Sequence, residues 1–247
     1  MAALDGKTAL VTGASAGIGA ATARALVENG ARVTLLARRR ERLDALCAKL
    51  PGSDAVVCDV RDADALARAL AGRRFDIAVA NAGLARGTAP LDQGEPSDWA
   101  EMVDTNIKGV LHVVRAVVPA MRAHGRGDFV ILGSVAGREV YTGGGVYCAT
   151  KHAVKALYTG LRLDLAGTGL RFTTVDPGLV ETEFSVVRFR GDADKASKVY
   201  QGLECLRPAD VADAILYAVT RPARVNIGEI VLWPTDQAST TIVKRST

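Results

Sequence analysis

Two hydrophobic patterns alternate along the chain. Short, nearly unbroken apolar runs at residues 8–12, 32–37, 55–58, 76–80, 129–132, 171–175 and 229–233 read as strands buried on both faces. Between them, apolar positions recur every three or four residues over 17–28, 40–50, 62–70, 105–124, 147–165 and 208–219, which is the spacing of helices with one buried stripe. Asn29-Gly30 and Pro51-Gly52 stop the first two helices, and Asp62 is placed to cap the third. Ser97 is expected to cap a further helix that begins near Asp98. No repeat and no linker rich in Pro, Ser or Gly interrupts the alternation. The pattern predicts an α/β fold: one Rossmann-like domain over residues 1–247, with a doubly wound parallel sheet of about seven strands and helices on both faces. Ligands of such sheets bind beyond the carboxyl ends of the strands.

One stretch breaks the rhythm. Residues 181–206 hold Val186-Val187-Arg188-Phe189-Arg190-Gly191-Asp192 and then a polar helical segment around 195–201. An insertion of this length just past a strand end is expected to be a substrate lid.

The first strand runs into Thr12-Gly13-Ala14-Ser15-Ala16-Gly17-Ile18-Gly19, which opens the first helix. Gly13 suits a tight turn, while Gly17 and Gly19 let backbone and helix approach a pyrophosphate. The helix N-terminus supplies free N–H groups and the positive end of its dipole. The segment, including Ser15 and Ile18, is therefore assigned to a dinucleotide. At the end of the second strand an acid would bond both ribose hydroxyls; this chain has Leu36-Ala37-Arg38-Arg39-Arg40. Cations there favour the 2′-phosphate of NADP(H), with Arg38 the first candidate and Arg39 the second. At the third strand end Asp59 is expected to accept from the adenine amine and Val60 to pack on its ring.

Composition narrows the field. The apolar share is 49%, charged residues are 23%, and the net charge of +4 is spread along the chain apart from Arg38-Arg39-Arg40 and Arg73-Arg74. So small an excess argues against a nucleic-acid partner. No apolar run reaches membrane-spanning length, and Met1-Ala2-Ala3-Leu4-Asp5 begins no signal peptide. Cys47, Cys58, Cys148 and Cys205 have no metal-ligand spacing, so no metal is expected; reduced thiols suit a cytoplasmic protein.

Tyr147 and Lys151 are four residues apart and share one helix face. A phenol beside an ammonium is expected to ionise more readily and to exchange a proton with an alcohol or ketone. With Thr12-Gly13-x-x-x-Gly17-x-Gly19, Asn81-Ala82-Gly83, Asn106, Ser134 and Pro177-Gly178 in order, the whole chain resembles the short-chain dehydrogenase/reductase family. That resemblance implies an oxidoreductase. Tyr147 would be its general acid/base, and Ser134 would bond the substrate oxygen. Lys151 would lower the Tyr147 pKa and bond the nicotinamide ribose, and Asn106 would hold a relay water. Asn81, Ala82 and Gly83 would line the cofactor. The backbone of Pro177, Gly178 and Val180, with Thr182, would contact its nicotinamide half. The family commonly forms homotetramers through the helices over 105–124 and 147–165. Tyr141, followed at the fourth position by Gly145, has no lysine partner and is given no role.

The segment from Gly178 to Asp192 is also similar to the NADP-dependent 3-hydroxy acid dehydrogenases, the serine and allo-threonine dehydrogenase group. Val225-Asn226-Ile227 and Pro234-Thr235-Asp236-Gln237-Ala238-Ser239 agree with it. This implies a short 3-hydroxy acid as the small-molecule substrate. A cation must then hold its carboxylate. Arg188, in the expected lid, is the first candidate; Arg86, Arg138 and Arg190 are further ones. The competing readings are another short-chain carbonyl or 3-oxoacyl reductase, and a non-catalytic NADP-binding regulator.

Overall fold

A computed structural model of the protein describes residues 2–246. Seven strands form one parallel sheet in the order β3-β2-β1-β4-β5-β6-β7. They are β1 (Thr8–Thr12), β2 (Arg32–Ala37), β3 (Asp54–Val57), β4 (Ile77–Ala80), β5 (Gly127–Leu132), β6 (Leu170–Pro177) and β7 (Glu229–Leu232). The helices are α1 (Gly17–Glu28), α2 (Arg40–Cys47), α3 (Ala63–Leu70), α4 (Pro96–Val103), α5 (Gly109–His124), α6 (Gly145–Asp164), α7 (Phe184–Arg188), α8 (Ala193–Tyr200) and α9 (Pro208–Val219).

The unbroken apolar runs are explained by two cores, one on each face of the sheet. Within β1, Ala9 and Val11 join a core with Ala23 and Leu26 of α1, Leu43 of α2 and Ile215 of α9. Leu10, between them, joins the opposite core with Leu66 of α3, Val113 and Val117 of α5 and Tyr158 of α6. Strand side chains alternate between faces, so a strand covered on both faces is apolar throughout. The chain direction across the sheet reverses between β1 and β4, which opens a crevice at their carboxyl ends.

Asp62 caps α3 as expected, accepting from the Ala65 N–H at 2.9 Å. Ser97 does not cap α4: the helix starts one residue earlier at Pro96, and Glu95 is the capping position without a side-chain bond. Proline is favoured at the first helical position because that N–H has no partner anyway, and this outweighs the serine signal. The helix expected over 105–124 is not regular either. Asp104–Lys108 is a single wide π-turn that joins α4 to α5 without a break. Such turns recur at functional sites, and this one carries Asn106.

The stretch 181–206 is tied at its base, where Glu181 N–H donates to Leu206 O and Leu206 N–H to Leu179 O. It contains α7, a tight turn with Arg190 in the left-handed region (φ 52°), and α8. The Ser185 hydroxyl donates to Tyr200 Oη at 2.8 Å, joining the two helices.

Candidate active site

A cleft of about 440 Å³ runs along the carboxyl ends of the strands, within the usual range for small-molecule sites. It is lined by every residue expected to bind cofactor, by Ser134, Tyr147 and Lys151, and by Arg188.

Its β1 end is shaped for a phosphate group. Gly13 has φ +67° and Gly17 φ +53°, backbone that favours glycine. A Cβ on Gly19 would stand 2.5 Å from Gly13 O, so the helix can pack this close only without a side chain. The Thr12 hydroxyl accepts from the Asn81 and Ala82 N–H groups at 3.0 Å, and Asn81 Nδ2 donates to Thr12 O at 2.8 Å. These bonds lock the β4 loop to the glycine turn across the crevice. The α1 N-terminus has no side-chain cap and no acid in its first turn, so its N–H groups and positive dipole end face the cleft uncontested. The residues present thus fit a dinucleotide.

Three arginines cluster beyond the end of β2, in different states. Arg38 is exposed, and its nearest anion is Asp59 at 3.8 Å. Arg39 donates through Nε and Nη2 to the Ser15 hydroxyl (3.2 and 2.9 Å) and through Nη1 to Glu183 at 3.1 Å. Arg42 donates to the other Glu183 oxygen at 2.5 Å. Glu183 immediately precedes α7, so this cluster bridges the two walls of the cleft. Asp59 lines the cleft as expected, but its carboxylate accepts from Arg61 N–H, Nε and Nη2 at 2.6–3.0 Å. Burial pushes Asp59 up; the Arg61 bonds outweigh it and hold the carboxyl below its usual range. The Asp59 carboxylate is thus already engaged by Arg61. Val60 is buried and its side chain packs against Gly109.

At the other end, Ser134 ends the loop after β5. Its hydroxyl accepts from Ala136 N–H at 3.1 Å and lies 3.4 Å from Pro177 O. Pro177 and Gly178 are held from the chain's tail: Gln237 Oε1 accepts from Leu179 N–H at 2.9 Å, and a Cβ on Gly178 would lie 2.5 Å from that oxygen. Val180 and Thr182 continue this wall, with the Thr182 methyl carbon 3.3 Å from where a Gly17 Cβ would stand.

Tyr147 and Lys151 sit on one face of α6, with no hydrogen bond between the two side chains among the described residues. Lys151 Nζ is 6.0 Å from the Tyr147 ring centre and donates to Leu132 O at 2.8 Å. Burial lowers Lys151 to about 8, against the pull of Asp176. The Tyr147 phenol is pushed up, not down: burial and neighbouring Tyr141 raise it, and the Arg188 charge and Ser134 hydroxyl oppose them only in part. Burial thus works against the expected lowering of this phenol by Lys151, whose ammonium bonds a backbone carbonyl.

Asn106 lies behind the cleft, fully buried. Its Oδ1 accepts from Leu84 N–H at 2.9 Å, and its Nδ2 donates to Leu84 O (2.8 Å) and to the Thr150 hydroxyl (3.0 Å). The Thr150 hydroxyl donates in turn to Tyr147 O at 2.7 Å. The side-chain amide is thus committed to protein partners.

Among the candidate substrate cations, three are already paired. Arg86 bonds Glu101 at 2.7 Å and the Val187 carbonyl. Arg138 bonds Asp176 at 2.7 Å and Glu229. Arg190 bonds Asp98. Arg188 has no carboxylate partner among the described residues. Its Cζ lies 5.1 Å from the Tyr147 ring centre, 5.3 Å from that of Phe184 and 5.8 Å from that of Tyr141. Nη2 donates to Tyr141 Oη at 2.7 Å, and Nε is buried with no partner. Tyr141, Phe184 and Glu183 were not identified from sequence. Spacing along the chain carries no signal for them, since their partners come from distant segments.

The model of the short chain dehydrogenase family matches residues 7–192. The chain is 44% identical over 237 residues to the NADP-dependent 3-hydroxy acid dehydrogenase YdfG of Salmonella typhi, covering 93% of this chain and 95% of that one. It is 41% identical to the serine 3-dehydrogenase of Agrobacterium fabrum, covering 94% and 95%. A closed form of serine dehydrogenase complexed with NADP+ superposes with a TM-score of 0.93 at 40% identity, over 97% of this chain and 100% of that one. The chain belongs to the short-chain dehydrogenase/reductase family.

Proposed function

We propose that the protein is an NADP-dependent dehydrogenase that interconverts the 3-hydroxyl of short 3-hydroxy acids, of the L-serine, L-allo-threonine and 3-hydroxypropionate type, with the corresponding carbonyl. The observation that carries this reading is Arg188: a half-buried guanidinium above the Tyr147 ring, with its Nε buried and unpartnered and with no carboxylate partner among the described residues. A cation with a buried, unpaired donor is matched by a substrate carboxylate. The relatives named above, NADP-dependent 3-hydroxy acid and serine dehydrogenases, support it.

In this reading Arg188 anchors the carboxylate, and the substrate hydroxyl lies between Ser134 and Tyr147. Tyr147 takes the hydroxyl proton during oxidation and returns it during reduction. Ser134 steadies charge on the oxygen. Lys151 holds the nicotinamide ribose and the local field, and Asn106 fixes the Tyr147 backbone through Thr150. Gly13, Ser15, Gly17, Ile18 and Gly19 hold the pyrophosphate; Arg38, with Arg39, holds the 2′-phosphate. Asp59 and Val60 border the adenine, and Asn81, Ala82, Gly83, Pro177, Gly178, Val180 and Thr182 line the remainder. Bound NADP supplies the hydride acceptor or donor. Residues 181–206 act as the lid of a single domain spanning 1–247.

We further infer a cytoplasmic homotetramer. Four unpaired thiols suit a reducing compartment, and exposed Leu111 on α5 and Leu163 on α6 suit assembly through those helices.

Steady-state kinetics with NADP on L-serine, 3-hydroxypropionate and simple alcohols tests the reading. Arg188→Ala is expected to lower kcat/KM for the acids by about a hundredfold or more, the loss typical of a buried charged hydrogen bond. Equal activity of the wild type on carbonyls without a carboxylate would favour the carbonyl reductase reading. No turnover with any substrate would favour a regulator.

A further inference from the structure

Tyr141 stands in a loop built around it. Gly143 has φ +73°, and a Cβ on Gly144 would lie 2.3 Å from a Tyr141 ring carbon. Gly144 therefore leaves the ring the room that a side chain would take, while a Cβ on Gly143 would meet the Thr88 backbone and one on Gly145 the Leu91 side chain. The ring lines the cleft beside Tyr147, and α7 lays Arg188 against it.

The hydrogen bonding of this corner is incomplete in a specific way. Tyr141 Oη accepts from Arg188 Nη2 at 2.7 Å, so the bond uses an oxygen lone pair and leaves the phenol's own proton free. That O–H donates to nothing among the described residues. Arg188 Nε–H is likewise without an acceptor, although buried. Two neighbouring donors, one on a cation, thus await an acceptor. Burial raises the Tyr141 phenol, with Arg188 opposing, so the group keeps its proton at neutral pH and remains a donor.

We propose that Tyr141 is a specificity-determining residue: its hydroxyl and Arg188 Nε–H together bind the two oxygens of the substrate carboxylate. The proposal rests on the 3-hydroxy acid reading and extends it to a residue with no role in the proton transfer. It accounts for the distance selection such a substrate needs. A hydroxyl held at Tyr147 and Ser134 puts the carboxylate two carbons away, in the corner where the Arg188 guanidinium carbon is 5.1 Å from the Tyr147 ring centre. A neutral chain entering the same corner would leave both donors unpaired, and a site rejects the analogue that fails to satisfy its buried polar groups.

The test uses the holoenzyme with Tyr141→Phe, Tyr141→Leu and Arg188→Ala. The readouts are KM for 3-hydroxypropionate, the competitive inhibition constant of propionate, and kcat/KM for a short neutral ketone. If the hydroxyl bonds the carboxylate, Tyr141→Phe and Tyr141→Leu raise KM and the propionate constant alike, by roughly ten- to a hundredfold, the scale of a hydrogen bond to a charged group. In Tyr141→Phe, kcat/KM for the neutral ketone changes by a clearly smaller factor than the propionate constant, since the ketone has no carboxylate to bond. If Tyr141 merely positions Arg188 by packing, Phe retains propionate binding and Leu loses it, which overturns the proposal. Arg188→Ala separates the two levels. Loss of propionate binding in Arg188→Ala without loss in Tyr141→Phe overturns this inference alone. Retention in Arg188→Ala overturns the carboxylate reading itself.

Discussion

Lys151 and Tyr147 share a helix face, with the ammonium 6.0 Å from the tyrosine ring centre and bonded to the Leu132 carbonyl. Both groups are desolvated, and each is held in its neutral form more strongly than in water. For Lys151, the folded value of about 8 lies below the ordinary 10.5. Between those two pH values the unfolded chain binds a proton that the folded chain does not, so stability rises with pH across the window. Lys151→Met removes this dependence. Urea unfolding should show the wild type gaining on the variant by on the order of 3 kcal/mol from pH 8 to 10.5; parallel pH profiles would refute the buried charge.

Burial works against ionisation of Tyr147. Burial, then the Tyr141 neighbour, raises it above the ordinary phenol value of 10.0. Ultraviolet difference titration of wild type against Tyr147→Phe should find no phenolate from this residue below pH 10. An ionisation near neutrality without cofactor would show that the helix pairing alone tunes the phenol.

Asn106 staples the wide π-turn to the Leu84 loop and, through Thr150, to the Tyr147 carbonyl. Asn106→Ala leaves buried backbone groups at Leu84 unpaired, at a cost of about 2–3 kcal/mol. Thermal unfolding should show that loss, with kcat falling more than KM rises because Tyr147 moves. Thr150→Val should lower kcat with a smaller stability loss. Unchanged kcat in both variants would disconnect the staple from catalysis.

Glu183 ties α7 to Arg39 and Arg42 across the cofactor cleft. Bonds from Arg42 above all, outweighing burial and joined by Arg39, hold Glu183 below the usual carboxyl range, so the tie persists through neutral pH. In the proposed cofactor site, this tie has to open for a dinucleotide to leave. Glu183→Gln and Arg42→Gln should each speed NADPH release by roughly three- to tenfold, as suits exposed ion pairs. The double variant should go no faster than Glu183→Gln alone, which already breaks the bonds to both arginines. Stopped-flow fluorescence measures the rate, and additive effects would show that the pair does not act together.

Arg38 is the one cation of Arg38, Arg39 and Arg42 without a close anion, its nearest being Asp59 at 3.8 Å. Arg38→Asp should lower the ratio of kcat/KM for NADP to that for NAD by about a hundredfold, since a carboxylate repels the 2′-phosphate and accepts from the ribose hydroxyls. An unchanged ratio would transfer the selectivity to Arg39.

The strands, the glycine turn and the catalytic order were legible because each depends on near neighbours in the chain. A doubly covered strand must be apolar throughout, a turn with positive φ favours glycine, and a phenol and an amine on one helix face must be four residues apart. The π-turn at Asp104–Lys108 and the start of α4 at Pro96, not Ser97, were less legible, since helix spacing tolerates both. Contacts between distant segments left no trace in the pattern at all. Arg188 meets Tyr141 from 47 residues away, and Arg39 meets Glu183 from 144. The sequence by itself determined the backbone, the cofactor cradle and the reacting groups. Only the tertiary structure decided which of the candidate arginines is left without a carboxylate, and that burial overrides the lysine beside the tyrosine. Both depend on desolvation and on partners that folding alone brings together.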